Sequence, residues 1–198
     1  MKSIAVFCGS SSGFHEAYAL KASELGWHLA DKGIEMVYGG GKIGLMGIIA
    51  DSVLENGGQV TGVIPGLLRH EEVAHTKLGQ MIVTKKMSKR KVKISKLVDG
   101  YIGLPGGFGT LDEVFEALTL GQLGIESKPV AILNVRNYFD NSIKQLDHMV
   151  SEGFLKKENR DMLIVSDSVE DLLAQMKNYS APKVSKIVSA GTNKSNLK

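Results

Sequence analysis

A chain of 198 residues that is 43% hydrophobic is sized for one domain with a substantial core, which excludes extensive disorder. Its formal net charge of +3 is too mild to call by itself for a nucleic acid or an anionic membrane as partner. The one cysteine, Cys8, excludes an internal disulfide framework and fits a reducing compartment, and its place in an apolar run marks it as a packed thiol.

The N-terminal run MKSIAVFCGSSSG stops at Gly and Ser before it is long enough for a signal peptide or a membrane span, so a cytoplasmic location is expected. From there short runs rich in Val and Ile alternate with segments of helical periodicity. Strands are expected at Ile4–Cys8, Ile34–Tyr38, Val60–Ile64, Met81–Thr84, Gly100–Leu104 and Val130–Leu133. Helices are expected near Glu16–Lys32, Leu45–Glu55, Met87–Val98, Leu111–Leu120 and Phe139–Glu152, with a last strand at Met162–Val165 and helix at Val169–Met176. Strand and helix in alternation imply an α/β fold: a doubly wound, mostly parallel, Rossmann-like sheet with helices on both faces, in a single domain over residues 1–178. From Ser180 onward the chain turns polar and loses periodicity, so residues 179–198 read as a disordered tail.

In such a sheet the ligand crevice lies beyond the carboxyl ends of the strands. Three strand ends run into small-residue loops, CGSSSG after the first, YGGGKIG after the second and LPGGFG after the fifth, and all three should open on one crevice. Gly39, Gly41 and Gly44 match G-x-G-x-x-G between a strand and a helix, but the following strand, QVTGVIPG, lacks the acid that would hold the ribose of a dinucleotide. A Walker loop fails as well, because Gly41 and Lys42 are followed by Ile43 rather than Ser or Thr.

The run Pro105, Gly106, Gly107, Phe108, Gly109, Thr110 enters a helix that carries Asp112 and Glu113 in its first turn. Its amides can face a phosphate at the positive end of the helix dipole. Thr110 and Glu113 also have the spacing of a capping box, and spacing does not choose between cap and site. With Leu111, Val114, Phe115 and Leu118 as the apolar face, Glu113 is turned from the core toward the crevice. In the basic run from Lys85 to Lys96, Lys89, Lys93 and Lys96 share a solvated side, whereas Arg90 falls in the stripe of Met87, Ile94 and Leu97. An arginine there needs an anionic partner, either a ligand or an internal carboxylate. No aromatic residue interleaves the run, which argues against single-stranded RNA. The five histidines are scattered and no nucleophile elbow is present, so neither a metal nor a serine or cysteine nucleophile is expected.

MSKRK at Met87–Lys91 and PGGFGTLDE at Pro105–Glu113 together resemble the paired signatures of the Lonely Guy (LOG) family of cytokinin riboside 5'-monophosphate phosphoribohydrolases. YGGGKIGLMG at Tyr38–Gly47 and QLGIESKPV at Gln122–Val130 are similar to that family in sequence and order, so the likeness covers roughly residues 1–178. The resemblance implies a homodimer that hydrolyses N6-modified adenosine monophosphates to free base and ribose 5-phosphate, with Arg90 and Glu113 catalytic. It places substrate contacts at Glu72, Lys91, Gly107, Phe108, Gly109, Thr110, Leu111, Asp112 and Thr119. Ser10, Gly40, Gly41, Met87 and Gly106 are counted with these as binding residues from the three small-residue loops and the first motif. Ser88 departs from the histidine usual after the methionine, which bears on base preference.

Members of the family are often labelled lysine decarboxylases, yet nothing here identifies a pyridoxal-phosphate site, and no cofactor is expected. The expected partner is a small nucleoside monophosphate, with neither a nucleic acid nor a membrane. The competing reading from another class is a regulatory protein whose loops bind the nucleotide without turnover.

Overall fold

Among the described residues the strands are short and, the edge strand Gln80–Thr84 apart, buried on both faces, and such strands pair in parallel when helices return the chain across the sheet. In the computed structural model, which describes residues 1–66, 74–75 and 78–182, they form one seven-stranded sheet. In chain order the elements are β1 (Ser3–Phe7), α1 (Glu16–Asp31), β2 (Glu35–Tyr38), α2 (Gly44–Glu55), β3 (Val60–Pro65), β4 (Gln80–Thr84), α3 (Met87–Leu97) and β5 (Gly100–Gly103). They continue with α4 (Phe108–Gln122), β6 (Val130–Leu133), a 3-10 turn (Val135–Asn137), α5 (Asp140–Ser151), α6 (Lys157–Arg160), β7 (Leu163–Ser166) and α7 (Val169–Lys177). The strand order is β4-β3-β2-β1-β5-β6-β7, and every pairing is parallel.

The side-chain period of two along β1 divides the core into two layers. Ile4 and Val6 join Leu25 and Leu29 of α1, Ile49 and Val53 of α2 and Leu172 of α7 on one face. Ala5 and Phe7 join Ile94 of α3, Val114 and Ala117 of α4 and Leu146 of α5 on the other. The doubly wound fold expected from the alternating pattern is the one observed. The chain winds outward from β1 to β4 and then returns to lay β5 beside β1, which makes the β1/β5 boundary the switch point.

One boundary differs in a way that matters. Helix α4 begins at Phe108 with Gly107 as its N-cap, three residues before the expected Leu111. Thr110 is therefore inside the first turn and buried, and the Thr110–Glu113 capping box does not form. The helix also presents Thr110, Val114 and Ala117 inward, so Phe115, expected on the apolar face, is exposed. The short α6 had no counterpart in the sequence reading. Glu72 and the tail beyond 182 lie outside the described residues. Among the described residues no helix is long and apolar enough to cross a membrane.

Candidate active site

A cavity of about 370 Å³ opens beyond the carboxyl ends of β1 and β5. Its walls come from all three small-residue loops: Cys8, Gly9 and Ser10 after β1, Gly39 after β2, and Gly107 leading into the Phe108–Thr110 turn of α4. Met87, Arg90 and Lys91 of α3 close the remaining side against Asp112 and Glu113. The loops are locked to each other through their backbones. Gly44 has φ +62°, and a Cβ there would fall 2.3 Å from the Ser10 carbonyl carbon. On the other side Gly9 N–H donates to Pro105 O at 3.0 Å.

Arg90 and Glu113 meet at the floor of this cavity. Arg90 Nη1 donates to Glu113 Oε1 at 2.9 Å, and Arg90 Nε donates to the Val63 carbonyl at 3.0 Å, which fixes the guanidinium plane from a neighbouring strand. The two side chains are only 15% and 10% exposed, so the arginine on the apolar stripe has its carboxylate within the chain. Burial pushes the Glu113 carboxyl above the usual carboxylate range, opposed in part by the positive charges of Arg90 and Lys91. Lys91 is held by Asp112 at 2.7 Å and Glu116 at 2.9 Å. Burial works against its ammonium, but those carboxylates outweigh it and keep Lys91 charged. Cys8 is half-buried against the core and also lines the cavity, and burial first, then Glu113, push its thiol far up, so it stays protonated.

Of the residues singled out in the sequence, the cavity brings together Ser10, Met87, Arg90, Lys91, Gly107, Phe108, Gly109, Thr110, Asp112 and Glu113. Gly106 lines an adjoining cavity of about 350 Å³ on the α1 side, with Ser11, Ser12, Tyr18 and Tyr138. Gly40 and Gly41 are buried below the rim, where Gly40 O accepts from His75 N–H at 3.0 Å and Gly41 bridges Ala74. Thr119 is exposed on α4, its hydroxyl donating to Phe115 O at 2.7 Å, and it lines a different cavity from that of Arg90. Leu111 packs against the second core layer. Among the described residues no cluster of His, Cys, Asp and Glu is arranged to hold a metal.

Gly39, which the G-x-G-x-x-G match included without giving it a role at the site, lies against the guanidinium. A Cβ at Gly39 would lie 2.6 Å from Arg90 Nη2, so this glycine leaves the space in which the guanidinium lies. Gly39→Ala is therefore expected to shift the Arg90 tip while the fold persists. Any activity that uses the guanidinium should fall at least tenfold, about 1.4 kcal/mol of barrier, with little change in Tm. An unchanged kcat in steady-state assays would show that the guanidinium tolerates displacement.

A doubly wound α/β protein whose switch-point crevice joins a glycine-lined helix start to a buried Arg–Glu pair is the class that fold and site define. The chain belongs to the family described as "Possible lysine decarboxylase", whose model matches residues 46–176. Its relatives include the cytokinin riboside 5'-monophosphate phosphoribohydrolase LOG1 of Arabidopsis thaliana, 40% identical over 95% of this chain and 88% of that protein. Another is the probable enzyme LOGL1 of Oryza sativa subsp. japonica, 41% identical over 89% of this chain and 79% of that protein. Among solved structures, the Moco carrier protein of Chlamydomonas reinhardtii superposes with a TM-score of 0.67 at 23% identity, over 89% of this chain and 96% of that one. The molybdenum cofactor binding protein of Rippkaea orientalis does so with a TM-score of 0.68 at 21% identity, over the same shares of the two chains. At that identity the likeness speaks for the fold.

Proposed function

We propose that the protein hydrolyses the N-glycosidic bond of N6-modified adenosine 5'-monophosphates, releasing free base and ribose 5-phosphate. The observation that carries this reading is the Arg90–Glu113 pair on the floor of a crevice walled by the first turn of α4. With Gly107 as N-cap, the N–H groups of Phe108, Gly109 and Thr110 precede the first intrahelical bond, from Leu111 N–H to Gly107 O. They form a site for the 5'-phosphate, aided by the helix dipole.

Cleavage leaves positive charge on the ribose as the bond to the base breaks, and a carboxylate at that point stabilises it. Water supplies the oxygen that joins C1', and its proton is taken up while the base leaves protonated. Glu113, held by Arg90, is the group for the sugar and the water, and the Arg90 guanidinium offsets charge on the departing purine. The anchored phosphate fixes C1' over the carboxylate, so binding energy remote from the reacting bond promotes its cleavage. Lys91, Asp112, Met87 and Ser10 line the same crevice and belong to this reading as binding residues, and Leu111, Thr119 and Glu72 are carried with them from the family resemblance.

The same reading includes a homodimer, supported by the exposed Val92, Phe115, Leu123 and Ile125 of α3 and the α4 region, an apolar group that a second copy would cover. It includes a cytoplasmic location, supported by the lone reduced cysteine. The test is direct. N6-isopentenyl-AMP incubated with pure protein should yield isopentenyladenine and ribose 5-phosphate by chromatography. Binding without either product would favour the regulatory reading.

A further inference from the structure

After β6 the backbone takes an unusual path. Arg136 and Asn137 both adopt positive φ, 53° and 61°, a region that non-glycine residues seldom occupy in succession. The turn is held in that form by Asn134, itself buried. Its side-chain oxygen accepts from Phe139 N–H at 2.8 Å, its amide group donates to Asp140 Oδ1 at 2.9 Å, and its backbone N–H donates to Ser166 O at 2.8 Å. Strained positions persist where surroundings determine them fully, and they gather at functional sites. What this turn delivers is Tyr138, whose ring meets Tyr18 and Phe139 edge-on at centroid distances of 6.0 and 5.0 Å. Its hydroxyl donates to Gly106 O at 2.6 Å.

Gly106 is the hinge of the proposed phosphate loop. It sits so close to its neighbours that a Cβ would fall 2.1 Å from Thr110 Oγ1 and 2.8 Å from Gly9 N. No cis peptide bond occurs among the described residues, so the Gly106–Gly107 peptide is trans and its carbonyl and N–H point in opposite directions. Tyr138 holds the carbonyl from the α1-side cavity, so the Gly107 N–H points away from Tyr138, and Gly107 lines both that cavity and the crevice. A two-glycine peptide without this contact is free to flip, because neither residue has a side chain to oppose it.

We propose that Tyr138 is a positioning residue: its hydroxyl sets the Gly106–Gly107 peptide so that the Gly107 amide joins those of Phe108–Thr110 in gripping the substrate's 5'-phosphate. This rests on the phosphate site proposed above and extends it to a residue that follows β6, the strand next to β5. The strained turn exists to place that hydroxyl.

The test compares the full-length protein with Tyr138→Phe, which keeps the ring and its edge contacts, by calorimetric binding of AMP and of adenosine. AMP should bind about tenfold more weakly to the variant, adenosine should bind equally to both, and Tm should stay within a few degrees. In turnover kcat/KM for the monophosphate should fall by about the same tenfold. Equal AMP affinity in the two proteins overturns the proposal, as does an equal loss for AMP and adenosine, which would mark a merely structural contact. If the wild type itself binds AMP no better than adenosine, the phosphate site falls, and the proposal falls with it.

Discussion

Glu113→Gln should reduce turnover of N6-isopentenyl-AMP by about 10²- to 10⁴-fold, the range expected when a positioned acid-base or charge-stabilising group is neutralised. Glutamine keeps an oxygen for Arg90 Nη1, so the guanidinium is not left buried without a partner, a loss that costs several kcal/mol when one member of a buried pair is removed. The fold should therefore persist, and the variant should still bind AMP. The pH dependence supplies an independent sign. Burial raises the Glu113 pKa, so if the ionised form is active, the acid limb of kcat/KM lies above the usual glutamate range and is absent in the glutamine variant. For stability the direction is reversed. A raised folded-state pKa means that the contribution from protonated Glu113 is present below the ordinary carboxylate pKa and is lost as pH rises through the raised one. Thermal unfolding of the wild type against the glutamine variant across that window should show the wild type losing relative stability as pH increases.

Gly44→Ala should be the most damaging of the single-methyl additions to the loops. Two costs combine: a left-handed backbone, about 1–2 kcal/mol for a residue with a Cβ, and overpacking against the Ser10 backbone, about 1–3 kcal/mol. For a chain of this length the sum lowers Tm by roughly 4–20 °C. Because the atoms in the way belong to the β1 loop, relief of the clash moves Ser10, and AMP affinity should weaken as well. A variant that melts like the wild type and binds AMP as tightly would show that the two loops are not braced against one another.

The strands, the helices and the parallel order were readable because each βα unit alternates a short Val- and Ile-rich run with an amphipathic segment. The convergence of the three loops on one crevice followed from the rule for strand carboxyl ends, and the cavity is lined by residues from all three. The start of α4 was harder to see. Gly107 and Gly109 read as loop, but the helix begins at Phe108, where Gly106 packs closely against Gly9 and Thr110. That start places Thr110 inside the first turn rather than at the N-cap. The choice left open for Arg90 was settled by a partner on another helix, Glu113, which spacing within α3 does not specify.

The pattern of glycines also failed to say which one matters for the guanidinium. Gly39 rather than Gly40 or Gly41 faces the Arg90 tip, and that depends on how α3 crosses β2 and β3. Tyr138 gave no signal at all, since its importance comes from a strained turn and a carbonyl far away in the chain.

The most direct measurement is a crystal structure of Glu113→Gln with AMP bound. The account requires phosphate oxygens within hydrogen-bonding distance of the Phe108, Gly109 and Thr110 amides, with C1' beside the substituted side chain and Arg90. A nucleotide seated with its phosphate away from the start of α4, or with its glycosidic bond out of reach of positions 90 and 113, would contradict it.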